Sequence, residues 1–297
     1  MMTAQQSQAL RGTLLTNESM ARHTTWRVGG AAERYYQPAD IEDLALFLRQ
    51  LPEQEPLYWL GLGSNLLVRD GGIRGTVIAT TGQLSGLTRI DESRVRVESG
   101  VSCAKVARFC AREGLAGAEF LSGIPGTMGG ALAMNAGCFG GETWNVVESV
   151  ETLDHQGGLH RRMAHEYQVG YRHVTGPDNE WFVAACLKLE KGEASALLAR
   201  NKALLERRSS SQPTQLPNAG SVFRNPEGDY AARLIETAGL KGRCIGGACV
   251  SDKHANFIVN SGNASASDIE ALIELVQQEV EKVHGVRLQP EVHISGE

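Results

Sequence analysis

Apolar residues recur at helical spacing over residues 40–51 (DIEDLALFLRQL), with Asp40 where an N-cap belongs and Asp43 three positions on. The same spacing predicts a helix from 103 to 113 (CAKVARFCARE), capped by Ser102 and stopped at Gly114. Further helices are predicted over 195–208, 229–239 and 267–285. The last opens on a capping box, Ser267 with Glu270, and closes on Gly285. RVRVES (94–99) alternates with period two, as a half-buried strand does. Strand patterns also occupy 57–62, 76–80, 146–153, 158–164, 181–189 and 256–260. Residues 20–85 thus read as a strand–helix–strand unit with glycine loops. The polar stretch SSSQPTQLPN (209–218) is the best boundary in the chain. Three mixed α and β units are expected, over 1–85, 86–208 and 209–297.

With 297 residues, 42% apolar and 21% charged, the chain can bury a core without staples. A formal charge of −5 gives no electrostatic footprint for nucleic acid. No apolar run reaches membrane-spanning length, and MMTAQQSQALRG lacks the pattern of a secretory signal. The six cysteines fall at irregular spacings with no C-x-x-C pair, which predicts reduced thiols, mostly core filler, and no metal site. These features point to a cytoplasmic protein with a small-molecule substrate and no nucleic-acid or membrane partner; a monomer is the working expectation.

Glycine departs from this ordinary picture: 34 residues, against a usual share of about 7%. Seven lie between Gly123 and Gly141, and residues 121–141 contain no Asp, Glu, Lys or Arg. Such clustering means a backbone that turns sharply or approaches something closely. Pro125 and the glycines argue against one long helix there.

Several familiar signatures are missing, among them G-x-G-x-x-G, the phosphate-binding P-loop, H-E-x-x-H and G-x-S-x-G. Ser102-Cys-Ala-Lys105 matches S-x-x-K, but its companion motifs are absent and Ser102 already serves as an N-cap. The loop Gly61-Leu62-Gly63-Ser64-Asn65-Leu66 follows a strand. It is either an ordinary tight turn or a nest of N–H groups for an anion. The uncharged segment beginning at Ser122, with Gly123, Gly126, Gly129 and Gly130, allows the backbone to press against a flat or phosphorylated ligand. Two glycine clusters on separate elements favour a dinucleotide cofactor held without a Rossmann fingerprint.

Seven motifs then occur in order: Thr24-Thr-Trp-Arg-Val-Gly-Gly30; Gly61-Leu-Gly-Ser-Asn65; Gly123-Ile-Pro-Gly-Thr-Met-Gly-Gly130 with Asn135-Ala136-Gly137; Tyr171-Arg172; Pro217-Asn-Ala-Gly-Ser-Val-Phe-Arg-Asn-Pro226; Lys253-His-Ala-Asn-Phe-Ile-Val-Asn260; and Leu288-Gln-Pro-Glu-Val292. From about residue 20 to the C-terminus the chain resembles the UDP-N-acetylenolpyruvoylglucosamine reductase (MurB) family. The resemblance implies an α+β fold. A two-part FAD-binding region of the PCMH/vanillyl-alcohol-oxidase type (1–85 and 86–208) would be followed by a smaller C-terminal substrate domain (209–297). It also implies bound FAD and NADPH as hydride-donating cosubstrate. Hydride then passes from flavin N5 to C3 of an enolpyruvyl sugar nucleotide, with a proton added at C2.

By the same resemblance, Gly61, Gly63, Ser64, Asn65 and Leu66 hold the cofactor. So do Gly123, Pro125, Gly126, Gly129, Gly130, Asn135, Ala136 and Gly137. Ser221 matches the proton donor, Arg172 the arginine near the substrate carboxylate, and Glu291 its acidic partner. Arg224 is a candidate for steadying the serine, and Asn225 matches a contact to the substrate diphosphate. Arg207 or Arg208 is a candidate for a phosphate of either ligand, and His254 is either packing or a site residue. His173-Val174 departs from the family's acidic residue and serine, which places the surroundings of Arg172 in question. The short span between Arg172 and the strand at 181 predicts the shorter form of the family, without an inserted tyrosine lid. The alternatives are another FAD oxidoreductase of the same fold and a non-catalytic sugar-nucleotide binding protein.

Overall fold

A computed structural model describes residues 9–297; the reading of the extreme N-terminus falls largely on residues outside it. The first sheet has the spatial order Thr13–Ser19, Ala31–Gln37, Ile73–Ala79, Leu57–Leu60. Its first pair is antiparallel and the remaining pairs are parallel. Helix α1 (Ile41–Gln50) makes the crossover, and Asp40 caps it by accepting the Asp43 N–H. Leu44 and Leu48 bury its apolar face against Tyr36 and Ile78, and Leu153 and Val183 of the second sheet join that core.

The second sheet is antiparallel throughout, ordered Leu159–Met163, Val147–Asp154, Glu180–Lys188, Arg94–Glu98, Leu87–Arg89. Helix α2 (Cys103–Arg112), capped by Ser102, buries Val106 and Cys110 with Val95, Val97 and Leu187. The cap leaves Ser102 in the structural role expected of it. The glycine-rich segment is broken, as Pro125 predicts, but it contains helix α3 (Met128–Met134), which its glycines concealed. Helix α4 spans Ala194–Ser211, so the serines placed in the linker form its last turn. In that turn Ser209, Ser210 and Ser211 turn their hydroxyls inward, donating to the carbonyls of Glu206 and Arg207.

The third unit has a small antiparallel sheet, Cys244–Ile245, Ala248–Val250, Ile258–Asn260, beside α5 (Ala231–Thr237) and α6 (Ala266–His284). Helix α6 begins two residues before the predicted capping box: Ser265 is the cap and Asp268 its partner. Ser267 and Glu270 instead meet Asp70 and Arg69 of the first unit. The final strand, His293–Ser295, leaves the third unit and pairs in parallel with Leu66–Val68.

The cysteine expectation needs one correction. Cys103, Cys110, Cys138 and Cys186 are free, but Cys244 and Cys249 form a disulfide. They are direct cross-strand partners around the Gly246-Gly247 turn, a pairing that irregular spacing alone did not reveal. Among the described residues no helix is long and apolar enough to cross a membrane, and no cluster of His, Cys, Asp and Glu is arranged to hold a metal.

Candidate functional site

Tyr171-Arg172 is the two-residue turn of a hairpin joining Gln168–Gly170 to His173–Thr175. Arg172 takes φ +53°, a left-handed conformation that is unfavourable for a residue with a Cβ and is retained only when its surroundings enforce it. Its Nε donates to Glu291 Oε1 at 2.7 Å, and its Nη2 donates to the Gly137 carbonyl at 3.2 Å. Both partners of the ion pair are largely buried. Burial pushes the Glu291 carboxyl above its ordinary value, against the pull of Arg172 and Arg224.

Ser221 is half-buried and follows Gly220, whose φ of +75° turns the chain. Immediately after it, Val222 accepts the Glu291 N–H at 2.7 Å, Phe223 bridges Pro290, and the Arg224 N–H donates to the Gln289 carbonyl. The serine segment and the Glu291 segment therefore run antiparallel in contact. Arg224 Nε is buried without a hydrogen-bond partner among the described residues, a donor that a ligand oxygen can satisfy. Asn65 ties the first glycine loop to the Glu291 segment, donating from Nδ2 to the Glu291 carbonyl and accepting the His293 N–H at its own carbonyl.

A cleft of about 510 Å³ opens beside these segments. Gly61, Ser64 and Pro125 line it together with Arg22, Arg27, Arg208 and Tyr35, and Gly220 brings the turn before Ser221 to its wall. Arg27 also has a left-handed backbone, at φ +60°. Tyr35 binds His23, which in turn binds Glu18, and burial raises the phenol to about 12. Burial lowers the Arg208 guanidinium. Of the two arginines left open by sequence, it is Arg208 that lines the cleft, whereas Arg207 lies over the Phe139 ring. Thr81, on the cleft wall, and Thr127, against Gly61, each hold a buried hydroxyl with no partner among the described residues. Cations, orphan hydroxyls and a glycine-lined wall are the donor set that a dinucleotide diphosphate requires, and the residues present fit FAD on that ground.

The glycines divide into two groups. A Cβ on Gly61, Gly63, Gly123, Gly129 or Gly137 would collide with the protein itself, for example with the His23 carbonyl at 2.1 Å for Gly63. Of the glycines expected to hold the cofactor, Gly126 and Gly130 leave room for a ligand, with nearest atoms at 3.5 and 4.0 Å. Asn135 and Ala136, expected to hold the cofactor, are engaged by the protein itself. The Asn135 side chain is buried and fully engaged, accepting the Trp144 N–H and donating to Glu142 and to the Gly170 carbonyl. The Ala136 N–H and carbonyl are likewise used internally. This segment holds the Arg172 hairpin. Leu66 opens the strand that pairs with His293–Ser295.

His173 is exposed and bonds to Thr175, so the departure at 173–174 leaves both partners of Arg172 in place. Asn225 is exposed and its Oδ1 accepts the Ala231 N–H, leaving only its amide NH2 to meet a diphosphate. His254 packs edge-on against Phe257, and burial lowers its imidazole, so it reads as packing. No lid is inserted between Arg172 and the strand Glu180–Lys188. Sequence reading did not single out Arg22, Arg27, Tyr35 and Thr127 as site residues. Arg27 and Thr127 lay inside the quoted motifs, whereas Arg22 and Tyr35 carried no local signal.

Comparison with known proteins decides the family. Residues 212–295 match the model of the UDP-N-acetylenolpyruvoylglucosamine reductase C-terminal domain, and residues 32–162 match an FAD binding domain. The UDP-N-acetylenolpyruvoylglucosamine reductase of Alkalilimnicola ehrlichii is 62% identical over 280 residues, covering 94% of each chain. The chain belongs to this reductase family. The enzyme of that name from Methylococcus capsulatus is 60% identical over 97% of this chain and 94% of its own. The crystal structure of the Thermus caldophilus reductase superposes with a TM-score of 0.82 at 34% identity, covering 96% of this chain and 99% of that one. The expected family and fold class stand: an FAD-binding region followed by the reductase C-terminal domain.

Proposed function

We propose that this chain is an FAD-dependent reductase that uses NADPH to convert the enolpyruvyl group of UDP-N-acetylglucosamine enolpyruvate to UDP-N-acetylmuramate, a step in peptidoglycan synthesis. When bound, FAD supplies the two-electron transfer, taking hydride from NADPH and delivering it to C3 of the substrate. The chain's own residues do the rest. Arg22, Arg27 and Arg208 offset phosphate charge in the cleft, while Gly126 and Gly130 allow the backbone to approach the ligand. Arg172 neutralises the substrate carboxylate, on which charge builds as C3 is reduced. Ser221 delivers the proton to C2, and Arg224 stabilises the alkoxide that remains. Glu291 holds Arg172 in place, and Asn225 offers its amide to the substrate diphosphate.

The observation that carries this reading is the ion pair of Arg172 with Glu291, drawn together from 119 residues apart and set against the segment that follows Ser221. On the same reading, residues 1–85 and 86–208 are the two parts of the FAD-binding region, and the residues beyond α4 form the substrate unit. The protein works as a cytoplasmic monomer. The test follows the visible flavin band of the purified holoprotein, reduced by NADPH without oxygen and then mixed with the enolpyruvyl sugar nucleotide. Rapid return of the band is expected. A band that bleaches and stays bleached makes the protein a flavoenzyme with another acceptor.

A further inference from the structure

Arg172 has an unfavourable backbone, sits at the tip of a small hairpin and must point at one carboxylate. Something has to hold that hairpin. Glu291 and Gly137 bind the guanidinium, but neither fixes the turn itself. Two side chains reach its backbone: Arg224 Nη2 donates to the Arg172 carbonyl at a long 3.5 Å, and the buried Asn135 Nδ2 donates to the carbonyl of Gly170, the residue immediately before the turn, at 3.1 Å. The same amide donates to Glu142 Oε2 at 2.9 Å, and its oxygen accepts the Trp144 N–H at 3.1 Å. Asn135 closes α3 at φ +42°, and asparagine is the residue that tolerates this region best after glycine. Backbone and side chain thus make separate demands on this position, and asparagine meets both.

We infer that Asn135 is a positioning residue for the reductive step, which sets the Arg172 hairpin against Glu291 and makes no contact with the cofactor. This rests on the assignment of Arg172 to the substrate carboxylate.

Asn135→Gly keeps the backbone conformation and removes the three side-chain bonds. In the holoenzyme its expected effect is at least a tenfold slowing of substrate reduction, far exceeding any effect on flavin reduction by NADPH. Amide hydrogen exchange across residues 168–175, read with or without substrate, speeds up. In an Arg172→Ala background the same change costs nothing further in substrate reduction, because nothing remains to be positioned. A purely structural role would be additive with Arg172→Ala, and additivity overturns the inference. A folded Asn135→Gly protein that loses flavin also overturns it, in favour of a cofactor seat. Should the glycine variant not fold, Asn135→Asp enters the same cycle, since it keeps the acceptor for Trp144 and loses both donors. If Arg172→Ala alone leaves substrate reduction unchanged, the assignment of Arg172 has failed, an outcome separate from additivity.

Discussion

Ser221 is a weak acid, so its proposed use as a proton donor depends on its setting. That setting consists of the Gly220 turn, the Val222–Glu291 hydrogen bond and the unpaired Nε of Arg224. General acid catalysis contributes about 10²–10⁴-fold, and only the second half-reaction consumes the proton. Ser221→Ala therefore slows substrate reduction by roughly that factor in stopped-flow measurements, with a far smaller effect on flavin reduction by NADPH. Equal slowing of both half-reactions would make the serine structural. Glu291 gives a prediction in pH. Burial raises its carboxyl above the ordinary 4.5, so its proton is held more tightly in the folded chain than in the unfolded one. Its contribution to stability is thus fully present below 4.5 and is lost as pH rises through the folded value. Glu291→Gln does not titrate, so its melting temperature gains on that of the wild type as pH rises above 4.5. A difference that stays flat or shrinks contradicts the assignment.

At the scale of elements, α6 is held at its N-terminus from two directions. Ser265 accepts the Asp268 N–H. Asp70, from the first unit, accepts the N–H groups of Ala266 and Ser267 and the Ser267 hydroxyl. A carboxylate at that end also meets the positive pole of the helix. Asp70→Ala should cost about 1–2 kcal/mol in denaturant unfolding. Burial raises the Asp70 carboxyl, but the hydrogen bonds from Ser267 and Ala266 outweigh it and leave a net lowering. The gap between wild type and variant is therefore present above 3.8 and closes as pH falls through the folded value. This helix also shows where sequence reading stops. The stretch Ser265-Ala-Ser267-Asp268-Ile-Glu270 contains two overlapping capping boxes, and a contact from Asp70, 196 residues away, selects between them. Helices α1 and α2 were legible because Asp40 and Ser102 cap their own turns. The strand Thr13–Ser19 was not, because it is mostly exposed and carries no apolar alternation. Within the candidate site, Ser221, Arg172 and Glu291 were singled out through motifs. The cations at Arg22 and Arg27 were not, since only the fold gathers them at one cleft.

The third unit borrows its core from the first. Trp26, Val28 and Leu67 lie within the cluster that contains Val222, Phe223, Leu234, Ile269 and Leu272, and Trp26 is 0% exposed. Trp26 Nε1 donates to the Ile258 carbonyl at 2.7 Å, and Asn260 Nδ2 returns a bond to the Trp26 carbonyl. The strand His293–Ser295 pairs with Leu66–Val68, and Arg69 holds Glu270 with a forked contact. Removing one buried aromatic side chain from a core costs about 3–5 kcal/mol, which is a large part of the stability of a small domain. A fragment of residues 212–297 loses Trp26, Val28, Leu67 and the partner of its last strand together. It should show no cooperative melt by circular dichroism and poor amide dispersion by NMR, whereas the whole chain unfolds with the third unit in a single transition. A sharp melt of the isolated fragment would show that its own residues suffice. The interlock matters for function because the Asn65 loop beside the cleft and the segment bearing Glu291 share hydrogen bonds. A change that loosens Trp26 should therefore weaken flavin retention and substrate reduction together, although the tryptophan lies outside the cleft.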